Sequence, residues 1–135
     1  MPRISIGIVS AFYLLSGVYM LIAPSHWYEA VPGVTSTGPF NVHFVRDIGL
    51  VFIASAGALI WGAVRGVRTV AIAGAVWPCL HALFHVQIWL ARGTPVDTVA
   101  AVNLAAIQLP AWLALWAALK LPRHQSVRNE RTEQC

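Results

Sequence analysis

Four long apolar stretches occupy most of this 135-residue chain and limit what it can fold into. A helix that crosses a bilayer needs about 20 mostly apolar residues, because the hydrocarbon core is about 30 Å thick and a helix rises about 1.5 Å per residue. Stretches of this kind run roughly over 4–23, 41–64, 69–91 and 95–119. The sequence therefore predicts an all-α integral membrane protein, in which residues 1–121 form a four-helix bundle.

The composition excludes several classes of protein. Hydrophobic residues make up 58% of the chain and charged residues only 10%, which leaves no room for a separate water-soluble catalytic domain. The formal net charge is +4, but the basic residues form no patch with interleaved aromatic side chains, so we expect membrane lipid and not nucleic acid as a partner. The chain contains no nucleophile elbow, P-loop, dinucleotide fingerprint or HExxH motif, and whether it is an enzyme stays open.

The distribution of positive charge predicts the orientation of the bundle. Four spans place most of the basic residues on one side, namely Arg3, Arg65, Arg68, Lys120, Arg123, Arg128 and Arg131. The segment 24–39, on the other side, has no Lys or Arg. Because short positively charged loops stay in the cytoplasm, we expect both termini to be cytoplasmic. The polar tail, 122–135, is predicted to be disordered.

Signals at the ends of the spans refine this topology. The first stretch is long for a signal peptide and Pro24 stands where cleavage would occur, so we expect it to be retained. Residues 25–31 precede a Pro-Gly pair and are typical of a short helix on the outer surface. Thr94 is predicted as the N-cap of the fourth span, with Pro95 at its first helical position and Asp97 in its first turn.

Polar and ionisable residues inside the predicted spans are candidates for a functional site. Such groups are costly in lipid unless they are paired or hydrated, so each is a functional hypothesis. They are concentrated in three helices: His43, Arg46 and Asp47 in the second span, His81 and His85 in the third, and Asn103 and Gln108 in the fourth.

Spacing and depth predict that the histidines and the carboxylate meet. His43 and Asp47 are four residues apart, as are His81 and His85, so each pair shares one helical face. At about 1.5 Å per residue, Asp47 and His85 both lie about 9 Å from the outer ends of their helices. The sequence thus predicts a shared, outward-facing polar site.

The first interpretation of this site is a metal centre. Imidazoles and a carboxylate are suitable ligands for Zn, Cu or Fe, which makes His43, Asp47, His81 and His85 the predicted ligands. A haem is the alternative, with His43 and His85 as its axial pair. Side chains predicted to support the ligands or to line the pocket are Arg46, Asn103, Gln108, Tyr19 and Trp89.

Two other interpretations use the same residues without a metal. In an accessory or structural membrane subunit, Asp47 would pair with Arg46 or a histidine and hold helices together. In a protein that binds or transports a small molecule or lipid, the polar layer would be a pocket or a short proton path, with Tyr13 and Ser16 in its wall. A bundle this small often self-associates, so a homo-oligomer or a larger membrane complex is a further expectation, although the small residues are spread over several helices and identify no single dimer face.

One segment resembles a known pattern. The motif NVHFVRDIG within residues 37–49, preceded by Trp27-Tyr28 and Val31-Pro32-Gly33, resembles the signature of uncharacterised small four-helix bacterial membrane proteins. The resemblance covers the first two helices and the region of His81 to His85. In architecture alone, the chain is also similar to the DoxX-like group. The resemblance implies a multi-pass protein of the bacterial cytoplasmic membrane and no particular chemistry.

Overall fold

The computed structural model describes residues 1–122, which contain helices and no β-strand. The first half of the chain comprises α1 (Pro2–Ile22), α2 (Pro24–Ala30), a 3₁₀ turn (Val34–Thr37) and α3 (Val42–Arg65). It is followed by α4 (Arg68–Ala91), α5 (Thr98–Val102), a π-helical segment (Asn103–Gln108) and α6 (Leu109–Leu119). The last three elements form one helix, Thr98–Leu119, here called the fourth span.

Four of these helices are long and apolar enough to cross a membrane, namely α1, α3, α4 and the fourth span. This finding confirms the predicted all-α fold with four helices that could span a membrane. The short predicted helix between the first two spans is present as α2. Most of the predicted tail, residues 123–135, lies outside the described part of the chain, and the cytoplasmic location of the termini stays a prediction.

The helix ends follow from local sequence. Proline is the first residue of both α1 and α2, a position where its missing N–H is not needed. The side chain of Asn41 caps α3, because its Oδ1 accepts a hydrogen bond from the Phe44 N–H at 3.1 Å. Helix α3 stops at Gly66, whose φ of 68° is the left-handed conformation that glycine adopts readily. A tight turn then leads into α4.

The predicted start of the fourth span was wrong by about one turn. Helix α5 begins at Thr98, and its N-cap is Asp97, whose Oδ1 accepts a hydrogen bond from the Ala100 N–H at 2.8 Å. Thr94 has a φ of 58° and lies in the connecting loop instead. The carboxylate of Asp97 also pairs with Arg92 at 2.6 Å, so one side chain caps the helix and closes the loop.

The four spans form a ring in which each helix packs against two neighbours. Helix α1 lies between α3 and α6, and α4 also lies between α3 and α6. Small residues at the contacts allow the backbones to approach closely. A Cβ placed on Gly17 would lie 2.6 Å from the Gly49 main-chain oxygen, and the buried core of α3, α4 and α6 is rich in alanine: Ala56, Ala63, Ala71, Ala75, Ala82, Ala111, Ala114, Ala117 and Ala118.

Large apolar side chains cover the outside of this ring. Leu15, Leu50, Leu80 and Trp61 are each more than half exposed. A surface of this kind would promote aggregation in water, whereas it is the expected surface of a protein in lipid. A polar site in this protein would therefore lie in the interior, between the spans.

Candidate functional site

His81 and His85 lie side by side on one face of α4. They are one helical turn apart, both are half-buried, and their ring centroids are 4.6 Å apart in an edge-to-face arrangement. The hydrogen bonds found among the described residues involve neither imidazole. A neutral imidazole has one N–H donor and one ring nitrogen acceptor, so the pair keeps polar groups free for another molecule.

Aromatic rings surround this pair. The Trp77 indole stacks on the His81 ring, with centroids 4.8 Å apart and planes 10° from parallel. Phe52 of α3 makes edge-to-face contacts with both the Trp77 and the His81 ring, and Phe84 makes one with His85. Rings packed in this way restrict the orientation of His81, since a rotation about its side-chain bonds would break the stacking contact.

A small cavity lies next to His81 in the centre of the bundle. All four spans contribute to its wall, which consists of Tyr13, Phe52, Pro78, His81, Ala106 and Ile107. Its volume of about 10 Å³ is room for about one water molecule.

Two irregular elements meet at this cavity. Pro78 lies inside α4 and has no N–H to donate to the carbonyl of Gly74, one turn earlier. Ala106 and Ile107 belong to the π-helical segment, Asn103–Gln108, whose turns are wider than those of an α-helix. Interruptions of this kind are frequent at functional sites.

Two buried hydroxyl groups have no partner among the described residues. The Tyr13 side chain is 1% exposed and lines the cavity, and Ser10 is fully buried one turn away on the same helix. Neither the Tyr13 hydroxyl nor the Ser10 Oγ has a hydrogen-bond partner within residues 1–122. Ser10 was missed at the level of sequence, although its spacing of three from Tyr13 was a usable signal.

The other predicted ligands lie in a different environment. His43 Nδ1 is 2.7 Å from Asp47 Oδ2, and these side chains are 83% and 55% exposed. Arg46, between them in sequence, is also exposed. No group of three or more His, Cys, Asp and Glu side chains within residues 1–122 is placed to hold one metal ion. The predicted convergence of His43 and Asp47 with the two histidines of α4 is therefore not found within residues 1–122. The first pair is bonded within α3, whereas His81 packs on Trp77 and Phe52.

The polar residues of the fourth span connect helices. Gln108 Nε2 donates to the Ala82 carbonyl at 2.7 Å and to Asn103 Oδ1 at 3.2 Å, and its Oε1 accepts from Trp112 Nε1 at 3.0 Å. The bond to Ala82 crosses to α4 and holds the π-helical segment beside His81, while the bonds to Asn103 and Trp112 lie within the fourth span and orient the Gln108 amide. Asn103 and Gln108 therefore position the wall of the site and do not contact the imidazoles.

Tyr19 and Trp89, both predicted in the pocket, connect loops instead. The Tyr19 hydroxyl is 2.5 Å from His26 Nδ1, which joins the end of α1 to α2. Trp89 Nε1 donates to the Pro95 carbonyl at 2.9 Å, which holds the loop between α4 and α5. Both side chains therefore have a structural contact that accounts for their polarity.

These contacts decide which cofactors fit. A haem does not fit the described cavity, whose volume is that of about one water molecule, and the predicted axial residue His43 is bound to Asp47. A transition metal at this pair would have two imidazole ligands, His81 and His85, and its other ligands would have to come from water or another molecule.

Comparisons with known proteins add no functional assignment. The chain matches no family model, and no curated protein or solved structure is significantly similar to it.

Proposed function

We propose that this chain is a multi-pass protein of a bacterial cytoplasmic membrane that binds a small polar molecule between its helices, at His81 and His85. The observation that carries the proposal is the pair of half-buried imidazoles without hydrogen bonds to described residues. Polar groups left unpaired within a membrane-spanning bundle are costly, and a ligand that pairs with them offsets that cost.

The surroundings of the pair favour a small ligand over a large one. Binding sites for small molecules are mostly apolar, with a few convergent polar groups that fix orientation. Phe52 and Trp77 supply the apolar wall, and His81 supplies a donor or an acceptor next to the cavity. The small cavity volume favours a water-sized ligand. A larger ligand would have to keep its remaining part outside the cavity, along the exposed side of the half-buried imidazoles.

A transition-metal ion is the second candidate ligand. The spacing of His81 and His85 supports it, because imidazoles one helical turn apart can bind the same Zn²⁺ or Cu²⁺ ion. With two protein ligands, water would complete the coordination. The carboxylate–histidine pair at the start of α3 has no part in this proposal.

Orientation and partners complete the proposal. The Arg65-Gly66-Val67-Arg68 turn supports a cytoplasmic location for the connection between α3 and α4 and, with four spans, for both termini. The apolar outer surface makes membrane lipid the main partner. The fourth span is less buried than the other three, which leaves it available to a second copy or to a larger membrane complex.

Chemical modification of the histidines tests whether the site is open to small polar molecules. The full chain in lipid nanodiscs, where water reaches both faces, would be treated with diethylpyrocarbonate, and each modified histidine identified by peptide mass spectrometry. We expect His81 and His85 to be modified as well as exposed His43, but more slowly, because both α4 imidazoles are half-buried. Modification of His43 without modification of the α4 pair would show a closed site and refute the proposal.

The same experiment separates the two ligand candidates. Prior addition of Zn²⁺ or Cu²⁺ would protect His81 and His85, but not His43, if the pair binds metal. Metal analysis of the purified protein and of a His81→Ala, His85→Ala double variant provides the second readout. Equal metal content in both proteins, without protection, would leave the polar-molecule proposal standing and exclude the metal candidate.

A further inference from the structure

The central cavity and the buried hydroxyl beside it indicate a specific ligand. We propose that the cavity binds one water molecule, which accepts a hydrogen bond from the Tyr13 hydroxyl and donates one to a ring nitrogen of His81. This inference rests on the proposed function, because it identifies water as the innermost ligand of the same polar site. It joins Tyr13 and His81 through one water, with the His85 ring packed beside His81.

The first argument is the unpaired hydroxyl of Tyr13. The Tyr13 side chain is 1% exposed, lines the cavity and has no partner within residues 1–122. Buried polar groups are almost always hydrogen-bonded, and where no protein group serves, an ordered water usually does. The other rings around Tyr13 cannot serve, since Phe52 and Phe12 pack on it with apolar edges and faces.

The second argument is the size and chemistry of the cavity. Its volume of about 10 Å³ matches about one water molecule. An apolar cavity of this size stays dry, but here Tyr13 and His81 face the same space from α1 and α4. A water needs at least two polar partners, and these two side chains supply one donor and one acceptor.

The third argument is the backbone that keeps this space open. Pro78 and the π-helical segment, Asn103–Gln108, form two sides of the cavity, and the Gln108 amide fixes the π-helical segment on the Ala82 carbonyl. The residues that face the cavity from the π-helical segment, Ala106 and Ile107, add no polar group. The polar side chains that line the cavity are therefore Tyr13 on α1 and His81 on α4.

Nuclear magnetic resonance of the imidazole nitrogens tests the water bridge. The full chain would be labelled with ¹⁵N-histidine in nanodiscs, and the His81 signals compared in wild type, Tyr13→Phe and Ala106→Val. Tyr13→Phe removes the donor to the water, whereas Ala106→Val fills the cavity and keeps the tyrosine. We expect both variants to shift the His81 nitrogen signals in the same direction.

Matched controls isolate the effect of the cavity. Tyr28→Phe removes a hydroxyl that bonds the Gly38 carbonyl, and Ala105→Val enlarges an exposed neighbour of Ala106. Neither control should move the His81 signals. Circular dichroism verifies that each variant is folded, and Tyr13→Phe keeps the test decisive if Ala106→Val does not fold.

Thermal stability supplies an independent readout, because a hydrated and a dry cavity predict opposite changes in melting temperature for Tyr13→Phe. If the cavity holds water, Tyr13→Phe deprives that water of a partner, and the melting temperature falls. If the cavity is dry, Tyr13→Phe removes an unpaired hydroxyl, and the melting temperature rises. Unchanged His81 signals together with a raised melting temperature would overturn the water bridge. Reaction of His81 and His85 with diethylpyrocarbonate would still support the proposed function in that case.

Discussion

Replacement of Gly17 by alanine is expected to weaken the contact between α1 and α3. A Cβ at this position would lie 2.6 Å from the Gly49 main-chain oxygen and 2.8 Å from Ile53 Cγ1. The oxygen belongs to the backbone and cannot rotate away, so the two helices must move apart. Overpacking of this kind costs about 1–3 kcal/mol, and alanine regains about 1 kcal/mol of helix propensity relative to glycine. With a backbone atom in the way, we expect a net loss of about 1–2 kcal/mol.

The chain contains matched controls for this substitution. Gly7 lies in α1 and Gly57 in α3, and a Cβ at either position would meet nothing within 4 Å. Gly7→Ala and Gly57→Ala should therefore leave stability unchanged or raise it by up to about 1 kcal/mol. The difference between Gly17→Ala and Gly7→Ala measures the steric part alone, because both substitutions make the same chemical change in one helix.

Equilibrium unfolding in mixed micelles of mild detergent and dodecyl sulfate, followed by circular dichroism, measures these differences. The expected order of stability is Gly57→Ala and Gly7→Ala at or above wild type, with Gly17→Ala below all three. If Gly17→Ala were as stable as Gly7→Ala, the helices would not cross at Gly17 and Gly49, and the packing described for this bundle would be refuted.

Three further substitutions test other contacts. The hydrogen bond from the Ala100 N–H holds the pKa of the Asp97 carboxyl below its ordinary value. The ionised carboxylate should therefore contribute its full stabilisation above the unfolded pKa and lose it as the pH falls below about 4. Unfolding midpoints measured across that pH range should show this dependence in wild type and lose it in Asp97→Asn. Gln108→Leu should lower the free energy of unfolding by about 0.5–2 kcal/mol in the same detergent assay, because the π-helical segment loses its bond to α4. Asp47→Asn should change the free energy of unfolding by no more than about 0.5 kcal/mol, because the pair with His43 is exposed. A larger loss would favour a structural role for that pair.

The spans were predictable because length and hydropathy are local properties of the sequence. The start of the fourth span was not, because two capping signals compete within four residues. Thr94-Pro95 has the sequence of a helix start, but Asp97 caps the helix and also binds Arg92, which closes the loop one turn later. The π-helical segment has no sequence signal of its own. Its Gln108 side chain donates to the Ala82 carbonyl of α4, a tertiary bond that exists only in the packed bundle.

The candidate site was predictable in part for a similar physical reason. Residue counting gives the height of a side chain along its helix, but the rotation of that helix about its axis depends on packing. Asp47 and His85 could be assigned similar depths, yet Asp47 is exposed at the start of α3 and bonds His43.

The i, i+4 spacing within α4 was the more reliable signal, because residues on the same helix keep their relative positions however the helix rotates. That spacing places Trp77, His81 and His85 in one continuous row of rings. The same row gives the proposed site its chemistry. No carboxylate within residues 1–122 is paired with these imidazoles, so they can exchange hydrogen bonds with a neutral molecule in either tautomer. An imidazole fixed by a carboxylate would present a single ring nitrogen. Water between Tyr13 and His81 and a polar molecule at His85 can therefore occupy the two ends of the pair together, each bonded to its own imidazole.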